Sequence, residues 1–269
     1  MAHILARARF AQREVAGIPF SVASLNVVTD WLLTEAAAQH LAVNVRLANA
    51  YNVALADTDD AYAALLVNHG INFPDGTPVV WFMNRRGRAV RAERVRGPSL
   101  FAETLARSAA SGTRHFLLGS TNETIASLTT ALKSAHPDLC IAGVFSPPFA
   151  PVDESFLAVC EEEVRKAAPD IVWVGLGTPK QDYVGTQLAA RVGLPTVNVG
   201  AAFDFAAGTV REAPTWVQRS GFEWLYRFAS EPRRLWRRYL FGNSRFLAAA
   251  IRYQVASSRK SSTSERETR

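Results

Sequence analysis

The sequence predicts an α/β fold: a mostly parallel sheet with helices on both faces, followed by a C-terminal helical segment of different character. Three observations carry this. Short β-branched runs alternate with helical patterns of 10–15 residues through the middle of the chain, the rhythm of βαβ units. Hydrophobic residues make up 48% and charged residues 20% of the 269, enough for a sizeable core and too apolar for wholesale disorder. The charge is also uneven: residues 211–269 hold 13 basic and 5 acidic residues, a net of +8, while residues 1–210 hold 17 and 19, a net of −2.

In chain order, Val43 to Leu47 reads as a strand and Asp57 to Val67 as a helix capped by Asp57 or Thr58. His115 to Gly119 is an apolar strand. Asn122 to Ala135 is a helix stopped by Pro137. Leu139 to Phe145 is a strand, and Asp153 to Ala168 a helix ended before Pro169. Ile171 to Gly175, Lys180 to Val192 and Thr196 to Gly200 complete the series as strand, helix and strand. No internal repeat is visible.

The rhythm stops after about Ala213, which sets a boundary near residue 210. Residues 1–210 form the body, 211–256 a basic, aromatic appendage, and 257–269 a polar tail with the composition of a disordered segment. On a helical wheel Arg233, Arg234, Arg237 and Arg238 occupy one arc. Leu235, Trp236, Tyr239 and Leu240 occupy the opposite one, with Phe241 the exception. That is the pattern of an interfacial helix on anionic lipid; the alternative is a helix laying its aromatic face on the body with its arginines solvated. The near-neutral body implies that it folds without the tail.

Other classes are disfavoured. Two cysteines, Cys140 and Cys160, make no disulfide framework and fit a reducing compartment. No run of 18 apolar residues suggests a membrane span, and the N-terminus lacks a signal-peptide pattern. The basic excess is confined to the tail, which argues against a nucleic-acid binder. The five histidines are scattered, no G-x-S-x-G occurs, and no metal site is expected. Asp57-Thr58-Asp59 resembles a D-x-D metal motif but sits at a helix start, where acidic residues offset the dipole.

In parallel sheets, ligands bind outside the carboxyl ends of the strands. Three polar or glycine-rich segments fall there: Gly119 to Asn122, Gly175 to Asp182 and Gly200 to Asp204. Gly175 to Asp182 follows a buried strand and opens a helix. Its amides, with Lys180 or Gln181, suit a phosphate, and the same residues suit an ordinary strand–helix turn. Pro74-Asp75-Gly76 is good turn chemistry and also offers Asp75 as a general base.

Taken in order, these segments resemble the WecG/TagA/CpsF family, glycosyltransferase family 26. The matching pieces are Leu47-Ala48-Asn49, Pro74-Asp75-Gly76, Glu93 to Gly97, Phe116 to Gly119, Gly175 to Asp182, and Gly200 to Asp204 with Gly208. Ala213-Pro214, Glu223 to Arg227 and Glu231 to Arg234 follow. The resemblance covers roughly residues 40–245. It implies a Rossmann-like body whose C-terminal helical appendage reaches the membrane and helps complete the site. It further implies an inverting, metal-independent transfer of a sugar from a UDP-sugar to a polyprenyl-diphosphate-linked saccharide, for cell-surface polysaccharide. The place would be the cytoplasmic face of the plasma membrane, with an anionic membrane surface and no nucleic acid as partner. A homo-oligomer is left open.

Residue by residue, the resemblance makes Asp75 the base and Asn49 a sugar partner. It gives the UDP to Gly175, Gly177, Lys180 and Gln181, and the ribose to Asp204. The departing diphosphate needs cations, for which Arg227, Arg233 and Arg234 are the candidates. Two positions depart from the family pattern. Leu47 stands where many members have threonine, so N-acetylmannosamine is not implied as the donor, and Glu212-Ala213-Pro214 replaces R-A-P, with Arg211 one place earlier. The rival readings are another nucleotide-using enzyme of similar fold, such as a methyltransferase, and a non-catalytic membrane-associated scaffold.

Overall fold

The computed structural model describes residues 2–85, 90–221, 223–233 and 242–255. After a short helix α1 (Ala2–Ala8), β1 (Ala11–Val15) and β2 (Ile18–Val22) form an antiparallel hairpin. Its two-residue turn, Ala16-Gly17, has both φ values positive, at 52° and 79°. Such a turn matches the twist of the strands it joins. Helix α2 (Leu25–Trp31) runs on into a π-helical turn, Leu32–Ala37.

The main sheet has six parallel strands: β3 (Asn44–Ala48), β4 (Ile71–Pro74), β5 (His115–Gly119), β6 (Ile141–Phe145), β7 (Ile171–Gly175) and β8 (Thr196–Asn198). Their order is β4-β3-β8-β7-β5-β6. The helices between them are α3 (Ala50–Ala56), α4 (Asp60–Asn68), α5 (Thr77–Asn84), α6 (Gly97–Ser108), α7 (Asn122–Ala135), α8 (Glu154–Ala167) and α9 (Lys180–Val192). The central strands are apolar on both faces because both are covered. Leu117, Trp173 and Val197 point into one core, while Phe116, Leu118, Val172 and Val174 point into another. The expected α/β architecture is therefore present.

Several local expectations change. The helix expected over 57–67 is two helices. Asp57 closes α3, and Asp59 caps α4 by accepting from the Tyr62 amide at 2.9 Å. The last strand ends at Asn198 rather than Gly200. The hairpin, α2, α3 and α6 add to the elements expected from the sequence.

After α10 (Ala202–Ala206), the chain continues through α11 (Thr215–Ser220) and α12 (Glu223–Ser230), and residues 242–255 are helical. Packing crosses the boundary expected near residue 210. Phe246 and Ala250 are buried in one core with Val53 and Val79. The Phe246 ring meets Phe82 edge-on at 5.4 Å. Arg252 donates to Asp57 at 2.6 and 2.7 Å, and Arg85 to Gln254 at 2.9 Å. The near-neutral net charge of the body does not bear on this, because the two parts are joined by shared apolar area and by individual ion pairs that a net charge does not count. Positions 234–241 of the helical wheel, Arg234, Arg237 and Arg238 included, and the polar tail lie outside the described residues. Among the described residues, no helix is long and apolar enough to cross a membrane.

Candidate active site

A cleft opens at the carboxyl ends of β4, β3, β8 and β7, roofed by α12 and the start of the last helix. Two loops build its floor. Asn49 caps α3 by accepting from the Tyr51 amide at 3.0 Å, and its own amide donates to Asn52 Oδ1 at 3.0 Å. The cap uses Oδ1, so Nδ2 is the end that Asn49 can offer a ligand. The second loop, Asp75-Gly76, follows β4. A Cβ on Gly76 would lie 3.2 Å from Asn49 Cβ, so glycine there lets the two loops meet.

Asp75 stands at this junction. Its side chain is 22% exposed, yet Oδ1 is buried and has no hydrogen-bond partner. Burial lifts its pKa above the ordinary 3.8. Arg94 opposes the rise, Glu223 adds to it, and Arg96 and Arg227 oppose it more weakly. A carboxyl raised toward neutrality is a stronger base than an exposed one.

Arg94 and Arg96 enter the cleft from the extended segment before α6 and grip Glu223, the first residue of α12. Arg94 Nη2 donates to Glu223 Oε2 at 2.7 Å and lies 3.6 Å from Asp75 Oδ1, while its Nε donates to the Asp75 carbonyl. Arg96 Nη2 donates to Glu223 Oε1 at 2.8 Å, and its Nη1 pairs with Glu212. Burial works against the Glu223 carboxylate, but Arg96 and Arg94 outweigh it and hold its pKa below the usual range. Two guanidinium groups lie within cation–π reach of the Phe205 ring, Arg96 at 5.8 Å and Arg227 at 5.4 Å. Arg227 lines the cleft, and its buried Nε makes no hydrogen bond.

Of the residues singled out in the sequence, Asn49, Asp75, Gly177, Gln181 and Arg227 line this cleft. Gly177 has φ +75° with open space where a Cβ would be, and its amide donates to Gln181 Oε1 at 3.1 Å. Gln181 therefore braces the loop as well as lining the cleft. The other expected residues lie elsewhere. Gly175 makes room for the Phe203 ring, which a Cβ would meet at 2.5 Å, rather than for a ligand. Lys180 turns away from the cleft. Its Nζ donates to the Ala150 carbonyl at 2.7 Å and sits 4.2 Å from the Phe156 ring centre, because the apolar turn before α8 draws in its stem. Asp204 is on α10; Ala201, just before that helix, and Phe205 on it line the cleft, while Asp204 does not. Arg233 is exposed outside the cleft, and Arg234 lies outside the described residues.

Arg94, Arg96 and Glu223 lie in segments that match the family, but the sequence assigns them no role. The available signal was the R-x-R spacing, which puts both arginines on one side of an extended segment. Beneath the floor, Asp182 is buried and accepts from Tyr62 Oη at 2.6 Å and from Asn198 Nδ2 at 2.9 Å. Fully buried Arg46 lies near enough to feel the Asp182 charge. Burial lowers the Arg46 pKa to about 10, and Asp182 counters part of that. Among the described residues, no group of three or more His, Cys, Asp or Glu side chains could hold a metal ion.

A buried carboxyl and a guanidinium group that line one cleft at the carboxyl end of a parallel sheet are groups suited to a transfer reaction on an anionic substrate. Similarity to known proteins narrows the class. The model of the WecG/TagA/CpsF glycosyl transferase family matches residues 13–260, and the chain belongs to that family. It is 28% identical over 227 residues to the N-acetylglucosaminyldiphosphoundecaprenol N-acetyl-beta-D-mannosaminyltransferase of Bacillus subtilis (strain 168), covering 84% of this chain and 86% of that protein. A protein of the same name from Bacillus spizizenii (strain ATCC 23059 / NRRL B-14472 / W23) is 29% identical over 204 residues, 74% of each chain. The protein is thus a glycosyltransferase, as its motifs predicted.

Proposed function

We propose that this enzyme moves a sugar from a UDP-sugar to a polyprenyl-diphosphate-linked saccharide with inversion, in cell-surface polysaccharide synthesis. The observation that carries this reading is the presence, in one cleft, of Asp75 and Arg227, each with a buried polar atom that makes no hydrogen bond. Asp75 takes the proton of the acceptor hydroxyl as that oxygen attacks the anomeric carbon. The bond from that carbon to the UDP oxygen breaks, and the diphosphate leaves with the electron pair. Arg227 meets the charge that develops there, a role for which electrostatic preorganisation counts most. Asn49 Nδ2 binds a sugar hydroxyl, and the Gly177–Gln181 loop holds the UDP. No metal is invoked, and activity should persist in EDTA.

The relatives' names specify an N-acetylglucosaminyl diphosphoundecaprenol acceptor and an N-acetylmannosaminyl donor. We carry over the class of the acceptor. Leu47 lines the cleft as an apolar wall, so the donor is set by a different surface from that of a threonine-bearing site. The deciding experiment is a panel of UDP-glucose, -glucuronate, -galactose, -N-acetylglucosamine and -N-acetylmannosamine against a lipid-diphosphate sugar acceptor. No turnover with any donor overturns the reading.

On this reading the enzyme works at the inner face of the plasma membrane, where such an acceptor would be met. Leu247, Ile251 and Val255, four residues apart on the last helix, form an exposed apolar stripe with Arg245 exposed nearby. Trp216, Trp224 and Leu225 are exposed on α11 and α12. This supports peripheral contact with anionic lipid. Liposome flotation tests it, and no binding at low salt overturns it.

A further inference from the structure

Arg94 stands between two carboxylates and is committed to one of them. Its Nη2 hydrogen-bonds Glu223 Oε2 at 2.7 Å but only approaches Asp75 Oδ1, at 3.6 Å, and Oδ1 is buried without any hydrogen bond. Its Nε is tied to the Asp75 carbonyl, so the guanidinium is anchored beside the carboxylate it leaves unbonded. A buried carboxylate next to an arginine ordinarily takes a direct charge-assisted bond. Here the competing carboxylate is the first residue of α12.

We propose that Glu223 is a positioning residue that holds the Arg94 guanidinium off Asp75, so that Asp75 is a competent base only when α12 is seated on the body. The proposal rests on the reading of Asp75 as the base. With α12 in place, Glu223 takes the Arg94 and Arg96 protons, and Asp75 keeps a lone pair with no donor on it. Without Glu223, Arg94 rotates about its anchored Nε by less than one bond length to reach Oδ1. The ion pair then stabilises the Asp75 anion and weakens it as a base. The charged groups facing Asp75 are Arg94 and Arg96 before α6, and Glu223 and Arg227 on α12; from the α3 side, the neutral Asn49 and Tyr51 line the cleft. Burial lifts the Asp75 pKa, and the Glu223 charge adds to the lift, the direction this arrangement requires. The C-terminal segment thereby sets the strength of a base that lies outside it.

The test is a carbon-13 carboxyl titration of full-length protein labelled at aspartate, with the Asp75 signal assigned by its loss in Asp75→Asn. In Glu223→Gln the Asp75 midpoint should fall by about one to three pH units, as for a carboxylate gaining a direct arginine partner. The acid limb of the kcat–pH profile should fall by the same amount, with KM for the UDP-sugar little changed. In an Arg94→Met background the same Glu223 substitution should move the midpoint much less, because the carrier is gone. An unchanged midpoint, or equal shifts in both backgrounds, overturns the proposal. If Glu223→Gln does not fold, Glu223→Asp keeps the charge while drawing the carboxylate back from Arg94, and its midpoint should fall in the same direction; no fall there also overturns it. The titration needs no turnover. Near-wild-type activity of Asp75→Asn would therefore remove the base reading separately, while a failed titration shift would leave that reading standing.

Discussion

Tyr62 donates its hydroxyl proton to Asp182 at 2.6 Å, joining α4 to α9 across 120 residues of sequence beneath the cleft. Asn52 donates to Tyr62 Oη at 2.8 Å and accepts from the Asn49 amide, so the bond reaches the cleft floor through one further side chain. Buried networks of this kind are costly when one member is lost.

Tyr62→Phe should therefore destabilise the fold by about 1–3 kcal/mol, because Asp182 Oδ2 loses its short donor. Urea denaturation should show the midpoint falling at an unchanged slope. KM should rise as the Asn49 loop loosens, with a smaller change in kcat.

Asp75→Asn should keep UDP affinity, read by calorimetry, and lose about 10²–10⁴-fold in turnover, the usual contribution of a general base. In the wild type, kcat should rise with pH as Asp75 ionises, at a midpoint above its ordinary 3.8 because burial raises it. Activity of the Asn variant near wild type at neutral pH would remove Asp75 from the mechanism.

Lys180→Met should change UDP affinity little, since the ammonium is held at Ala150 and over Phe156, outside the cleft. Gln181→Ala should weaken UDP binding, since Gln181 lines the cleft and braces Gly177. A large loss in the first variant with none in the second would place the nucleotide elsewhere.

Deleting residues 222–269 should destabilise the body rather than leave it intact. The deletion removes Phe246 and Ala250 from a shared core and strips Glu223 from the buried Arg94 and Arg96. Phe246→Ala alone should cost about 3–5 kcal/mol, the range for truncating a buried aromatic. A truncated chain that melts like the full one would show that the C-terminal helix adds nothing to the core.

His115 is fully buried between Trp173 Nε1, which donates to its Nδ1 at 3.0 Å, and Ser108 Oγ at 2.7 Å from Nε2. Burial lowers its pKa from 6.5 to about 4. The folded state thus binds fewer protons than the unfolded one in that interval. The stability contribution is complete above about pH 6.5 and is lost as pH falls toward 4, on the order of 3 kcal/mol. Denaturant midpoints across this window should fall in wild type and stay flatter in His115→Gln.

The sequence by itself determined the parallel α/β body and the segments that meet at the carboxyl ends of its strands. Those features are local: five-residue apolar runs and stops such as Pro137 and Pro169 are read within a few neighbours. Motif order likewise picked out Asn49, Asp75, Gly177, Gln181 and Arg227, all of which line the cleft. Local reading was weak where a side chain's direction decides its role. Gly175 and Gly177 look alike in sequence, yet one faces the Phe203 ring and the other open space. Lys180 and Gln181 are adjacent on a helix start, and the 100° between neighbours sends one out of the cleft and the other into it. Only the tertiary structure decided that Arg94 and Arg96 meet Glu223 across 129 and 127 residues, and that the last helix completes a core begun at Val53. Charge composition could not foretell either result. A net charge sums over the surface, whereas these contacts depend on which few groups are brought together out of water.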